Sequence, residues 1–192
     1  LSNIINHNIS AEFFGNLFIK NERFSSKIFK HYIQSLSKTL RDLNINVNSI
    51  PVLDVLRNYT NIVIRKRSFS KDKKVVKELG RVCIKYLHLN KLAGVIKHIP
   101  GHGAAVSDSH KRTPKVSLSL KKLNEIDFYP FKKSNAKFAM TAHIIYSKID
   151  KRNVATFSKK IIKNVIRKKL GFKGIIISDD ISMKALKYDL IT

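Results

Sequence analysis

Short apolar runs alternate with amphipathic helical stretches along most of this chain, and that alternation limits its fold more than any other feature. A helical periodicity covers 25–43, with Ile28, Phe29, Ile33, Leu36 and Leu40 near one face, and a strand is expected over 45–50. A second helical stretch covers 70–89 and carries Val75, Val76, Leu79, Val82 and Tyr86. Ser70 stands where an N-cap belongs. A strand follows at 93–97, then a helix at 119–128 and a strand at 137–141. The next helix, 158–170, has Ser158 as its cap and Gly171 as its stop. A strand at 174–178 and a helix starting near Ser182 complete the series. Strands this short and this apolar have no solvent face, and each is separated from the next by a helix. That is the signature of a parallel sheet in an α/β fold. A closed β/α barrel and an open doubly wound sheet both satisfy it.

The residues most unusual for a surface cluster just after the strands. Pro51 to Asp54 follow the first, and Lys97, His98 and a loop containing Gly101 and Gly103 follow the second. His143 follows the third, and Asp179 with Asp180 the fourth. In a parallel sheet the carboxyl ends of the strands share one side, where a barrel builds its active site. An open sheet would use the same side at a switch point.

Each group has a plain reading beside a chemical one. Gly101 and Gly103 let the backbone turn tightly or approach a ligand closely. His98 and His102 have helical metal-pair spacing, but Pro100 and Gly101 lie between them and no third ligand follows the pattern, so no metal is expected. Neutral histidines that bond a polar ligand or fix the loop fit better. Asp108-Ser109-His110 places a carboxylate two residues from an imidazole, which can orient the ring for acid/base work, although a solvated loop has the same composition. Asp179 at a strand end is held rigidly enough to act as a nucleophile, and helix capping is its rival role.

Charge and composition narrow the classes further. The 192 residues include 38 Lys and Arg against 13 Asp and Glu, for a formal charge of +25. Such an excess can mark a nucleic-acid or anionic-surface binder. Here the basic residues are dispersed and no nucleic-acid motif accompanies them. Abundant Asn, Ile and Lys fit an A/T-rich genome writing its bias into solvated helix faces, so no nucleic-acid partner is expected. Cys83 is the single cysteine, which excludes an internal disulfide and suits a reducing, cytoplasmic setting. No apolar run approaches the ~20 residues of a membrane helix. The chain starts at Leu1 with no leader pattern after it, so it is expected to begin partway into a gene product.

Several strings together resemble one family. K-H-I-P-G-H-G at 97–103, followed by D-S-H-K-R-T-P at 108–114, is similar to the signature of bacterial family 3 β-N-acetylhexosaminidases, the β-N-acetylglucosaminidases of peptidoglycan recycling. M-T-A-H-I-I-Y at 140–146 resembles their M-P-A-H-x-x-Y, with Thr141 in place of proline. L-G-F-K-G-I-I-I-S-D-D-I-S-M at 170–183 resembles their nucleophile segment, and P-V-L-D-V at 51–55 also fits. The resemblance is strongest over 45–192. It implies an α/β fold of the TIM-type (β/α)8 barrel. No match to the family's D-Q-E-G-G-R segment occurs in 1–44, and a whole barrel typically needs ~250 residues. The chain, 1–192, is therefore expected to be a partial barrel domain without its N-terminal and C-terminal units.

The family's roles fall on named residues. Asp179 would be the nucleophile, forming a covalent glycosyl-enzyme intermediate with net retention. His110 would be the general acid/base, in a dyad with Asp108, in place of the second carboxylate of most glycosidases. Arg67, Lys97 and His98 would bind the N-acetylglucosamine ring, although Lys66 stands where the family carries an acidic residue. A family 3 β-glucosidase would take its acid/base carboxylate from elsewhere, whereas Asp108 and His110 already fill the dyad. The resemblance thus implies removal of terminal β-linked N-acetylglucosamine from peptidoglycan fragments, with no cofactor and no membrane partner. Self-association through open sheet edges is a further expectation. Two other readings stand beside this one: a catalytically incompetent fragment of such an enzyme, and a basic nucleic-acid or anionic-surface binder.

Overall fold

A computed structural model of the chain describes residues 9–60, 62–107 and 113–186. Two helices open it. Helix α1 (Ala11–Lys20) starts where the Ser10 hydroxyl accepts the Phe13 N–H. Asn21 ends α1 and starts α2 (Glu22–Asp42): its N–H donates to the Leu17 carbonyl, and its side chain accepts from Phe24 N at 2.9 Å. Helix α2 buries Ser25, Phe29, Ile33, Ser37 and Leu40, a spacing of three and four that makes one continuous stripe.

After α2 come β1 (Val47–Asn48), the single turn α3 (Ile62–Arg65), α4 (Lys73–Leu89) and β2 (Ala93–Ile99). Then follow β3 (Lys115–Val116), α5 (Leu120–Glu125), a 3-10 turn at Tyr129–Phe131, β4 (Phe138–Thr141) and β5 (Ile145–Tyr146). A π-type helix (Ile161–Lys169), β6 (Ile175–Ile177) and a 3-10 turn at Lys184–Leu186 complete the described residues.

The main sheet has the order β1-β2-β4-β6, and every pairing in it is parallel. Each strand is followed by helix before the next, as the alternation requires. Helix α4 packs on α2 and on β2, with Leu79, Leu87, Ile33 and Ile96 fully buried between the layers. Phe14, Phe29 and Phe69 form an aromatic group beneath α1, with ring centroids 4.6 Å and 5.6 Å apart along the series. Among the described residues the sheet is an open arc. Val47 at one edge is 43% exposed and Ile175 at the other 58%. No described helix is long and apolar enough to cross a membrane.

Several expectations change. The N-cap of α4 is Asp72, whose side chain accepts from Lys74 N at 2.7 Å. Ser70 instead accepts the Asp72 N–H, one step before the helix. The strand expected over 45–50 keeps ladder pairing only at Val47–Asn48, because Pro51 follows and turns the chain along β2. Within the stretch at 158–170 the helix is π-type over Ile161–Lys169; Ser158 accepts the Ile161 N–H at the start of the turn that leads into it, and Gly171 follows it at φ 69°. The helix expected near Ser182 is a short 3-10 turn within the described residues.

The edge of the sheet that matters is shaped by β2. Lys97 pairs with Met140 and Ile99 with Thr141, so His98 is one extra residue in β2 and the register shifts there. Such a bulge re-aims side chains. Residues 51–54 run beside this point, with Lys97 N donating to Pro51 O and Leu53 N to Lys97 O at 2.7 Å.

Candidate active site

The centre of the carboxyl-terminal edge is a fully buried carboxylate, Asp54. Its Oδ1 accepts the N–H of His102 at 2.6 Å and of His98 at 3.3 Å, and its Oδ2 lies 2.7 Å from His98 Nδ1. Burial alone would push the Asp54 carboxyl upward. Electrostatic attraction to His98 and His102, with the hydrogen bonds both supply, outweighs it, and the net direction is below the ordinary carboxylate value. The opposite nitrogen of the same ring, His98 Nε2, is 3.7 Å from Asp179 Oδ2. A line of groups thus runs from the buried Asp54 through His98 to the quarter-exposed Asp179.

The glycines explain how the loop after β2 stays close to this line. A Cβ on Gly103 would lie 1.9 Å from the Val55 carbonyl oxygen, and one on Gly101 would lie 2.5 Å from that of Asp127, with Gly101 at φ 144°. No side chain fits at either position, which is the close approach that glycine permits. The loop is also tied from outside. Tyr146 donates its hydroxyl to Gly101 O at 2.6 Å, Thr60 donates to Gly103 O at 2.8 Å, and Arg57 pairs with the buried Asp127. His102 packs its ring edge-on against His98 at 5.6 Å, and its Nδ1 is buried with no hydrogen-bond partner among the described residues. Burial lowers the His102 pKa, against the pull of Asp54.

Asp179 and Asp180 divide their work. Asp179 Oδ1 accepts the Asp180 N–H at 2.9 Å, which fixes the carboxylate and leaves Oδ2 toward His98. Asp180 turns its own Oδ1 to the N–H and hydroxyl of Ser182, at 2.8 Å and 2.7 Å. The local turn is thus held by the second aspartate. His143, buried after β4, reaches the same place: its Nε2 is 3.1 Å from the Asp180 carbonyl, and its Nδ1 is 2.7 Å from Thr156 Oγ1. A carbonyl only accepts, so Nε2 carries the proton and Nδ1 accepts from the threonine. Burial lowers the His143 pKa, with the Asp180 carbonyl and Asp179 pulling the other way, so the neutral ring is favoured.

Lys97 leaves β2 toward a cavity of about 270 Å³ that Arg67, Ser49, Val52 and Phe69 also line. Its Nζ donates to Ser49 Oγ at 2.7 Å. Burial, then the cation of Arg67, brings its pKa down to about 8, against the attraction of Asp179 and Asp54. Lys97, His98 and Asp179 therefore meet at one edge, with Arg67 on the adjacent exposed rim. Asp108 and His110 lie outside the described residues. Among those that are described, no group of three metal-ligating side chains occurs.

The sequence places Asp54 and His143 among the residues clustered after the strands but gives neither a chemical role. His143 lies just past β4 and Asp179 just past β6, but Asp54 stands well beyond β1, and Lys97 and His98 lie within β2, which runs to Ile99 where a strand ending at 97 was expected. The partners of Asp54 and His143 lie 44 and 37 positions away.

The sequence profile described as the glycosyl hydrolase family 3 N terminal domain matches residues 20–190. The chain belongs to this family. β-Hexosaminidase A of Pseudoalteromonas piscicida is 32% identical over 203 residues, an alignment covering 95% of this chain and 33% of that protein. Native NagZ from Neisseria gonorrhoeae superposes with a TM-score of 0.84 at 30% identity, over 91% of this chain and 52% of that one. A glycoside hydrolase family 3 β-N-acetylglucosaminidase from Paenibacillus sp. str. FPU-7 gives 0.81 at 28% identity, over 86% and 32%. This family 3 chain thus spans between a third and about half the length of these relatives. Its parallel arc of strand and helix corresponds to part of their fold.

Proposed function

We propose that this family 3 domain carries the nucleophile side of a retaining β-N-acetylhexosaminidase site. The observation that supports it most is the meeting of Lys97, His98 and Asp179 on one sheet edge, with His98 Nε2 3.7 Å from Asp179 Oδ2. The two atoms are near neighbours on that edge, so one sugar ring lying over both could bond Lys97 and His98 through its hydroxyls while its anomeric carbon faces the carboxylate.

In this reading an Asp179 oxygen attacks the anomeric carbon of a terminal N-acetylglucosamine. The bond to the leaving oxygen breaks, and His110 donates the proton that oxygen needs. Water then attacks the same carbon, His110 takes its proton, and the Asp179–sugar ester breaks with net retention. Asp108 orients the His110 ring. Arg67 lies on the rim beside Lys97 and supplies a further donor to the sugar. The substrate is a muropeptide or peptidoglycan fragment bearing β-linked N-acetylglucosamine, in a reducing, cytoplasmic setting, and 1–192 acts as one domain.

A chromogenic N-acetyl-β-glucosaminide tests the proposal. Turnover by the chain, lost in Asp179→Ala with the fold retained, is the expected result. Turnover that survives Asp179→Ala would assign the nucleophile elsewhere. A folded chain without any turnover would mark a domain that keeps the motifs but not the activity.

A further inference from the structure

The carboxylate of Asp54 divides its two oxygens unequally. Oδ1 serves two backbone donors, His98 N and His102 N, and Oδ2 serves one ring nitrogen, His98 Nδ1, at 2.7 Å. A carboxylate only accepts hydrogen bonds. The nitrogen facing it must therefore carry hydrogen. In a neutral imidazole that leaves Nε2 with a lone pair, and Nε2 is the atom that points past the bulge toward Asp179.

We propose that Asp54 is a positioning residue that holds His98 as the Nδ1–H tautomer and so presents an acceptor nitrogen beside the candidate nucleophile. The group His98 recognises is then a donor: a sugar hydroxyl whose O–H points at Nε2. The same lone pair keeps His98 from bonding the Asp179 carboxylate, which is left to the Asp180 N–H and to the reacting carbon. A ring with hydrogen on Nε2 would instead donate to Asp179 and occupy it. Asp54 also fastens the first residues of the loop after β2, so the segment that leads to Asp108 and His110 starts from a fixed point. Asp54 touches neither sugar nor nucleophile in this arrangement and acts through the His98 ring and the backbone of the loop it fastens.

The isosteric variant Asp54→Asn separates tautomer control from packing. Its oxygen belongs at the Oδ1 position, because the amide NH2 there would face two backbone N–H donors. The NH2 then faces His98 Nδ1 and forces hydrogen onto Nε2. Nitrogen-15 NMR of the ring reports the tautomer directly and needs no turnover. The wild-type chain should show a protonated Nδ1 and a bare Nε2, and Asp54→Asn the reverse, with circular dichroism unchanged. A wild-type ring with hydrogen on Nε2, or on both nitrogens, would overturn the inference even if the variant failed to fold. So would an Asp54→Asn ring that kept the wild-type tautomer.

The consequence for catalysis rests on the glycosidase reading. If the chain turns over an N-acetyl-β-glucosaminide, Asp54→Asn should lower kcat/KM by roughly ten- to a hundred-fold, the loss expected when one hydrogen bond to the sugar is forfeited and two donors are left facing each other. Unchanged kcat/KM in a variant whose tautomer had flipped would remove the recognition role. An inactive wild-type chain would instead count against the glycosidase reading and leave the tautomer result standing.

Discussion

Replacing Lys97 with methionine should make this protein more stable while removing a proposed sugar ligand. Lys97 is held at a pKa of about 8 instead of the usual 10.5. Burial is the main cause and the nearby Arg67 cation the second. Below pH 8 the ammonium is charged in both the folded and unfolded chain, and the fold carries the full cost of holding it. A fall from 10.5 to about 8 corresponds to about 3 kcal/mol of differential free energy. Lys97 keeps some contact with water, and the substitution gives up its 2.7 Å bond to Ser49, so a net gain of about 1–2 kcal/mol at pH 7 is the expected size. For a chain of this length that raises Tm by a few degrees, on the order of 2–4 °C per kcal/mol.

The sign of its pH dependence is fixed as well. Between pH 8 and 10.5 the unfolded chain binds more protons at this position than the folded one, so the Lys97 contribution to stability rises with pH through that window. The advantage of Lys97→Met must therefore shrink as pH climbs toward 10. Urea unfolding of both chains at pH 7 and near pH 10 measures it. A variant less stable at pH 7, or an advantage that does not change with pH, would refute the reasoning.

Three other substitutions or conditions test the framework. Gly103→Ala should cost about 2 kcal/mol or more in urea unfolding, because its Cβ would meet the Val55 carbonyl oxygen at 1.9 Å, a main-chain atom that cannot swing aside as a side chain could. Arg57→Ala should cost about 3–5 kcal/mol by the same measurement, since it strands the buried Asp127 carboxylate. Asp150 is favoured as a carboxylate by hydrogen bonds from Ser158, Arg152 N, Asn153 N and Asn153 Nδ2, which outweigh its burial and hold its pKa well below the usual 3.8. Its contribution is present above that value and lost as pH falls further, so Asp150→Asn should narrow the gap in stability between pH 5 and pH 3 in thermal unfolding scans.

How much of this was legible depends on where each signal is written. Helices α2 and α4 follow from apolar spacing, because each buries one stripe. Helix α1 does not: Phe13 and Ile19 are exposed while Phe14 and Phe18 are buried, so its apolar residues lie on more than one face. Strands β3 and β5 hold two residues each, too few to show a period. The cap of α4 went to Asp72 because two cap-forming residues stand two apart and only backbone geometry chooses between them.

The site shows the same division. Position after a strand is a local property, and it marked Lys97, His98 and Asp179. Partnership is not local. Nothing near Asp54 in the sequence states that its carboxylate lies under His98, or that His143 bonds the Asp180 carbonyl. Those contacts exist only once the parallel strands bring distant positions to one edge.

The central claim is that Asp179 is the nucleophile of a retaining hexosaminidase. Incubating the chain with a 5-fluoro N-acetylglucosaminyl fluoride, which forms but slowly releases a glycosyl-enzyme, and sequencing the labelled peptide by mass spectrometry tests it most directly. The account predicts one sugar covalently attached at Asp179. An adduct on another residue, or hydrolysis of substrate with inverted configuration and no adduct, would contradict it.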